Sequence, residues 1–159
     1  MISYSYNELI DYFKEILKNK KLKFTSQREK ILEILYNNEV HFTPEELYLK
    51  IKEDYPHLNI GIATIYRTLN LLEESKMITS ISFGQSGKKY EIAIKPHHDH
   101  LICDICGNII EFEDEEIERR QEEIAKKHGF LLKNHSLQLH GICKNCRKKL
   151  KKGKIVETK

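Results

Sequence analysis

The 159-residue chain has no apolar run that approaches the ~20 residues needed to cross a bilayer. Its mean hydropathy is -0.56, and it contains no internal repeat and no low-complexity segment. The first residues, Met1 to Tyr4, lack both the basic and the apolar segments of a secretory leader. We therefore expect a cytoplasmic protein that does not use a membrane as a partner.

Cysteine is scarce, and no cysteine is left over outside two Cys-x-x-Cys pairs, Cys103/Cys106 and Cys143/Cys146. In a reducing compartment such pairs more often bind metal than form disulfides. Four thiolates complete a closed tetrahedral shell around Zn²⁺, and a closed shell leaves no position for a substrate. The spacing predicts a structural zinc site, with a redox-active dithiol as the alternative.

The motifs of zinc hydrolases are also absent. The chain contains neither a His-Glu-x-x-His helix nor a His-x-His-x-Asp-His run. A zinc-dependent hydrolase is nevertheless a competing class, because such enzymes use His-rich clusters with an open coordination position and a general base. Without those motifs, we favour a protein that is not an enzyme.

Charge is nearly balanced, with 27 basic and 24 acidic residues and a net charge of +3. This balance does not by itself indicate nucleic-acid binding. A local basic run between Lys14 and Lys30, which includes Lys23, could face phosphates, and a solvated helix end is its alternative. A second basic run, Lys144 to Lys154, is expected to be a frayed tail.

The pattern of the chain changes near Lys95-Pro96, from helices to strand-like alternation with metal-ligating side chains. We place the boundary between residues 93 and 94, which gives units 1–93 and 94–159. A lobe of ~60 residues buries too little surface to be stable alone, so a zinc ion and a partner subunit are the expected remedies.

The first unit is expected to contain helices followed by a hairpin. Thr25 and Thr43 are predicted helix caps, and the stripes include Leu47, Leu49 and Ile51, then Ile62, Ile65, Leu69 and Leu72. The predicted helices cover Tyr6 to Lys18, Thr25 to Tyr36, Thr43 to Tyr55 and the segment after Gly61; the hairpin covers 78–83 and 88–92, with a turn at 84–87.

Helices followed by a hairpin are typical of a winged helix-turn-helix, whose last helix enters the major groove. Helical projection places Thr64 and Arg67 away from the apolar stripe, with Tyr66 at its border. This face is free to contact DNA. The alternatives are a protein-binding module with the same element order, and partial burial of Tyr66 in the core.

The second unit is expected to have an α/β fold. Strands are predicted at His100 to Cys103, Asn108 to Phe112 and Phe130 to Leu139, and a helix at Asp114 to His128. Strand alternation sends His98 and His100 to one face, and His97 and Asp99 to the other. Two nitrogen and oxygen metal sites follow, with a solvated histidine cluster as the alternative. Residues chemically suited to complete the His98/His100 site are Glu91, Glu111 and His41, and composition does not choose among them.

Three segments together resemble the ferric uptake regulator (Fur) family. They are residues 60–69 (IGIATIYRTL), residues 95–103 (KPHHDHLIC) and residues 108–112 (NIIEF). The resemblance extends from about Leu22 to Cys146. It implies an α+β protein with an N-terminal winged helix-turn-helix domain and a C-terminal α/β dimerisation domain. It also implies a metal-dependent repressor of iron-uptake genes.

The resemblance assigns three metal sites and a DNA-contacting set. The structural Zn²⁺ site matches Cys103, Cys106, Cys143 and Cys146; the regulatory site matches His41, Glu91, His98, His100 and, as a fifth ligand, Glu111; the additional metal site matches His97, Asp99, Glu118 and His135. Tyr66 and Arg67 match base-contacting positions, Lys23 matches a minor-groove contact, and Thr64 lies on the same helix face.

The resemblance also implies the signal and the partners. Peroxide-sensing relatives tend to carry Asp where this chain has Glu91 and Glu111, and zinc-sensing relatives often place a cysteine in the regulatory shell. We therefore expect Fe²⁺ as the regulatory ion, with Mn²⁺ or Zn²⁺ able to substitute. A regulator responsive to Mn²⁺, Zn²⁺ or peroxide is the alternative. The expected partners are a palindromic, AT-rich double-stranded DNA operator and a second copy of the chain, as a homodimer or higher oligomer.

Overall fold

The computed structural model describes residues 4–82, 87–94 and 97–151. The chain divides into two compact units, an N-terminal unit, Met1–Pro96, and a C-terminal unit, His97–Lys159. The sequence placed the boundary three residues earlier. Among the described residues, no helix combines the length and apolarity required to span a membrane.

Four helices begin the N-terminal unit, and each of the first three begins at a side-chain cap. They are α1 (Tyr6–Asn19), α2 (Ser26–Asn37), α3 (Pro44–Asp54) and α4 (Ile62–Glu74). Thr43 and Glu46 form a reciprocal capping box, as do Ser5 and Glu8. Thr25 accepts a hydrogen bond from the backbone N–H of Arg28. The caps predicted at Thr25 and Thr43 are confirmed, because these hydroxyls satisfy otherwise unpaired N–H groups.

The apolar stripes of the four helices meet in one core. Its fully buried members include Phe13, Leu32, Leu47 and Leu69. Two predicted stripe positions are wrong: Leu49 is 64% exposed and Ile62 is 38% exposed. Leu49 follows Leu47 by two residues, about 200° around a helix, so it faces solvent while Ile51 returns to the core. Ile62 is the first helical residue, one turn before the stripe becomes enclosed.

A two-stranded antiparallel sheet completes the N-terminal unit. It consists of β1 (Ile78–Ser82) and β2 (Lys88–Ile92), with Ile78 opposite Ile92. The predicted turn at 84–87 lies outside the described residues except for Gly87. Reciprocal backbone hydrogen bonds of 3.0 and 2.8 Å join Phe42 to Tyr90, so the segment before α3 lies against β2. The predicted winged helix-turn-helix order is confirmed.

The C-terminal unit contains a three-stranded sheet in the order β4-β3-β5. Strand β3 (Asp99–Cys103) pairs antiparallel with β4 (Ile109–Phe112) and parallel with β5 (Gln138–Gly141). Helix α5 (Glu115–Lys127) connects β4 to the segment before β5, and α6 (Lys144–Lys151) follows β5. The side chain of Asp114 caps α5 by accepting hydrogen bonds from two backbone N–H groups.

Two predictions for the C-terminal unit are wrong. The strand predicted from Phe130 to Leu139 is limited to Gln138–Gly141, because its partner β3 begins at Asp99 and offers no backbone to residues before 138. Leu131, expected to be part of an alternating strand, is 86% exposed. Residues 144–151 of the predicted frayed tail are helical, with the N–H of Arg147 donating to the carbonyl of Cys143 at 2.9 Å.

Candidate metal centres and nucleic-acid interface

The four cysteine sulfurs lie within 4.8 Å of one another. Cys103 ends β3, Cys106 lies in the following turn, Cys143 follows β5, and Cys146 lies in the first turn of α6. Sγ of Cys106 and Sγ of Cys143 are 3.8 Å apart, and all four cysteines are free thiols. The sheet and α6 thus bring together two Cys pairs that are distant in sequence.

The electrostatics of this cluster favour a bound cation. Burial opposes ionisation of Cys103, but backbone N–H groups, led by that of Cys143 at 3.3 Å, donate to its sulfur and lower the pKa of the thiol to about 6. Burial and hydrogen bonding to the neighbouring sulfurs raise the pKa of Cys146 to about 12. Without a metal, four thiolates cannot coexist there. The donor set and its mutual distances fit Zn²⁺.

A second cluster combines His97, Asp99, Glu118 and His135, whose ligand atoms also lie within 4.8 Å of one another. Nε2 of His135 is 3.1 Å from Oε1 of Glu118, and Nε2 of His97 is 3.5 Å from the same oxygen. The cluster joins β3, the first turn of α5 and the irregular segment before β5. Placing His135 here directs that segment away from the sheet.

Asp99 is the decisive residue of the second cluster. Its side chain is fully buried, and in the described part of the chain neither carboxylate oxygen accepts a hydrogen bond. The imidazole nitrogens of His97 and His135 lie 3.6 and 3.7 Å from Oδ1, beyond hydrogen-bond distance. A buried carboxylate without donors needs a cation, so these residues fit a divalent metal.

The residues of the predicted regulatory site form two sets, one in each unit. In the N-terminal unit, Nε2 of His41 lies 3.2 Å from Oε2 of Glu91, and the side chains of both are almost fully buried. The pairing of Phe42 with Tyr90 explains this contact, since it brings the residue before Phe42 beside the residue after Tyr90. Each side chain offers one nitrogen or oxygen ligand.

In the C-terminal unit, the rings of His98 and His100 lie 4.8 Å apart between centroids. Nε2 of His98 is 3.7 Å from Oε1 of Glu111, and Glu111 is directly opposite His100 in the β3–β4 register. The alternation predicted for residues 97–100 therefore holds, with His98 and His100 in one set and His97 and Asp99 in another. Composition alone could not select Glu111, whereas strand register places it.

The outward face of α4 carries exposed polar side chains. Arg67 is exposed, Thr64 is half-buried, and the ring of Tyr66 is 43% exposed rather than packed in the core. Lys23 is exposed in the segment between α1 and α2. These positions can contact a ligand as large as a nucleic acid.

Sequence analysis missed two side-chain pairs at these sites. The hydroxyl of Tyr66 donates to Oε1 of Glu45 at 2.6 Å, which raises the pKa of Tyr66. Nδ1 of His140 lies 2.9 Å from Oδ1 of Asp104, beside the cysteine cluster. Both pairs join elements distant in sequence, so no local pattern indicates them.

Residues 19–140 match the sequence model of the Ferric uptake regulator family. The chain belongs to that family. It is 58% identical over 150 residues to the ferric uptake regulation protein of Campylobacter jejuni, covering 94% of this chain and 96% of that one. The predictions of family, fold and function, metal-dependent regulation of transcription, are thereby confirmed.

Solved structures of Fur-family proteins agree with this assignment. The Helicobacter pylori ferric uptake regulator, described as having three functional metal-binding sites, gives a TM-score of 0.81 at 38% identity, with 91% of this chain and 95% of that one covered. The Campylobacter jejuni peroxide stress regulator gives 0.62 at 32% identity, covering 87% and 99%. Similarity to the Fur structure is thus higher than to the peroxide regulator.

Proposed function

We propose that the chain is an Fe²⁺-dependent repressor that binds an operator as a homodimer and controls iron-uptake genes. The observation that carries this proposal is the division of nitrogen and oxygen ligands between the two units. His41 and Glu91 belong to the unit with the winged helix, and His98, His100 and Glu111 belong to the other. The cytoplasm, which keeps thiols reduced, is the proposed compartment.

The proposed mechanism uses these two ligand sets together. When bound, a divalent ion supplies positive charge that both sets can share. The side chains then restrict the pose of the winged helix relative to the C-terminal unit. Since a dimer must match two operator half-sites, that pose determines whether both α4 helices reach the major groove. The ion shifts the equilibrium only by its preference for the competent pose.

The proposed operator contacts come from two elements. Thr64, Tyr66 and Arg67 of α4 contact base edges and phosphates in the major groove, and Lys23 contacts the minor groove. The hydrogen bond from Tyr66 to Glu45 holds the phenol at the edge of this surface. The expected operator is a palindromic, AT-rich duplex.

The proposed dimer interface is on the sheet of the C-terminal unit. The register places Leu101 beside Ile110 and beside Leu139, and all three side chains are exposed. This apolar row crosses the full width of the sheet. Covering it with a second copy would remove apolar surface from water and enlarge a small core.

The donor types support the assignment of metals. The four thiolates suit structural Zn²⁺, and the second cluster suits an additional divalent ion. The nitrogen and oxygen ligands of the regulatory set suit exchangeable Fe²⁺, with Mn²⁺ or Zn²⁺ as substitutes. Because no cysteine belongs to that set, thiol oxidation there does not provide the signal. This distinguishes the proposal from a peroxide-responsive regulator.

Operator binding by the full-length protein tests the proposal. Affinity for operator and scrambled duplexes is measured with Fe²⁺, Mn²⁺, Zn²⁺ or a chelator, and bound metal is counted. We expect Fe²⁺ to strengthen operator binding, and His98→Ala and Glu91→Ala to lose this response while retaining zinc at the cysteines. Operator binding unaffected by chelation would contradict metal control. Rapid oxygen addition to His41 or His98 with Fe²⁺ bound would instead indicate a peroxide sensor.

A further inference from the structure

Helix α6 carries an unusual concentration of positive charge. Its eight residues include Lys144, Arg147, Lys148, Lys149 and Lys151, and no acidic residue. Four of these cations lie at positions i, i+3, i+4 and i+7, which places Lys144, Arg147, Lys148 and Lys151 on one face of the helix. The opposite side presents Cys146, which is buried, and Leu150, which is half-buried. The helix is therefore anchored on one side and basic on the other.

The charges of α6 differ from those of the other helices. Elsewhere, exposed helical lysines lie near carboxylates, as Lys20 does with Glu74 at 3.0 Å and Lys50 with Asp54 at 2.9 Å. For the five cations of α6, the described part of the chain offers no carboxylate within 4 Å. These side chains extend into solvent without intramolecular compensation.

The helix dipole does not account for this arrangement. Cations in the last turn, such as Lys151, are favoured by the negative end of the dipole, but Lys144 occupies the first helical position, where a cation is disfavoured. Lys144 with Lys148, and Arg147 with Lys151, are like-charge pairs at i,i+4 that destabilise an isolated helix. The anchored Cys146 permits a charge pattern that helix stability alone opposes.

We propose that the basic face of α6 binds the phosphate backbone of double-stranded DNA, in addition to the contacts made by α4. A closely spaced row of anions relieves the like-charge repulsion along this face, and phosphates provide such a row. From Lys144 to Lys151 the helix rises ~10 Å, comparable to about three base-pair steps of ~3.4 Å. The inference rests on the proposed function for the identity of the polyanion. It adds a surface that contacts DNA without reading its sequence.

The salt dependence of DNA binding tests this inference. Operator and scrambled duplexes are titrated with metal-loaded full-length protein over a range of salt concentrations. For Arg147→Gln/Lys148→Gln, removing two phosphate contacts predicts a slope of log affinity against log salt that is shallower by ~1.8 per protomer, since each contact contributes ~0.9. The change should be the same on both duplexes, because backbone contacts carry no sequence information.

The matched control is Lys126→Gln/Lys127→Gln, which removes the same charge from the exposed end of α5 in the same unit. Its slope should equal that of the wild type. Equal slopes for the two double variants would overturn the inference, even if binding to an acidic polypeptide fell. Should Arg147→Gln/Lys148→Gln lose zinc, Lys148→Gln/Lys151→Gln, farther from the cysteines, replaces it. Wild-type protein that fails to discriminate operator from scrambled DNA would refute the proposed function, while the slopes on scrambled DNA would still judge α6.

Discussion

Single residues determine how each candidate site responds to metal. Asp99 is the clearest case, because its carboxylate is enclosed and accepts no hydrogen bond in the described part of the chain. Strand alternation predicted that Asp99 and His97 would share a face. It could not reveal that Glu118 of α5 and His135 approach them, since those contacts depend on packing between distant segments. At that position only the family resemblance supplied the ligands.

Asp99→Asn should therefore have opposite effects with and without metal. In metal-depleted protein, removing a buried charge that has no donor should raise the free energy of unfolding by about 1–3 kcal/mol. In the presence of Mn²⁺, the wild type should be stabilised and the variant should not. Thermal unfolding with the zinc at the cysteines retained measures both effects.

Glu116→Gln is a suitable control for this comparison, since Glu116 is an exposed acid in the first turn of the same helix as Glu118. It should respond to Mn²⁺ as the wild type does. Equal stabilisation of Asp99→Asn and the wild type by Mn²⁺ would show that the cluster does not bind the ion through Asp99.

Arg67 tests the DNA surface at the same scale. If its guanidinium contacts a base edge, Arg67→Ala should weaken operator binding by about 1–3 kcal/mol and reduce discrimination against scrambled DNA. Lys23→Ala should lower affinity for both duplexes more evenly and reduce the salt slope. Measured by fluorescence anisotropy, unchanged discrimination in Arg67→Ala would leave α4 without support as the recognition helix.

At the scale of helices and strands, local signals predicted the N-terminal unit well and the C-terminal unit less well. Thr25 and Thr43 determine helix starts by hydrogen bonds within three residues, so sequence suffices to find them. Strand β5 ends its pairing where β3 begins, and α6 forms at the Cys143/Cys146 pair. Both outcomes depend on partners elsewhere in the chain, which periodicity does not contain.

Cys143→Ser should consequently disrupt two elements at once. Loss of one ligand should release zinc, and β5 and α6 should lose amide protection, because binding at a structural site contributes folding free energy. Hydrogen exchange and zinc analysis provide the measurements. Asn145→Ser changes a non-ligand in the same pair and should retain both zinc and protection. A Cys143→Ser protein with wild-type zinc content and protection would contradict the structural site.

At the scale of the whole molecule, sequence predicted two units with different chemistry, and the fold contains them. The N-terminal unit has its own apolar core, whereas the C-terminal unit leaves Leu101, Ile110 and Leu139 exposed. The account links these units through metal: ligands in both units respond to one ion, and the pose of the winged helix changes operator affinity. Such coupling must be reciprocal, so operator must also strengthen metal binding.

The most direct test of this claim is the affinity for Mn²⁺ with and without saturating operator, measured from the electron paramagnetic resonance signal of free Mn²⁺. An Asp99→Asn background removes the second cluster from the titration. We predict that operator tightens Mn²⁺ binding by the same factor by which Mn²⁺ tightens operator binding, ~5- to 150-fold for typical coupling. Scrambled duplex, or the additional change His98→Ala, should abolish the effect. Equal Mn²⁺ affinity with and without bound operator would contradict metal-dependent repression by this chain.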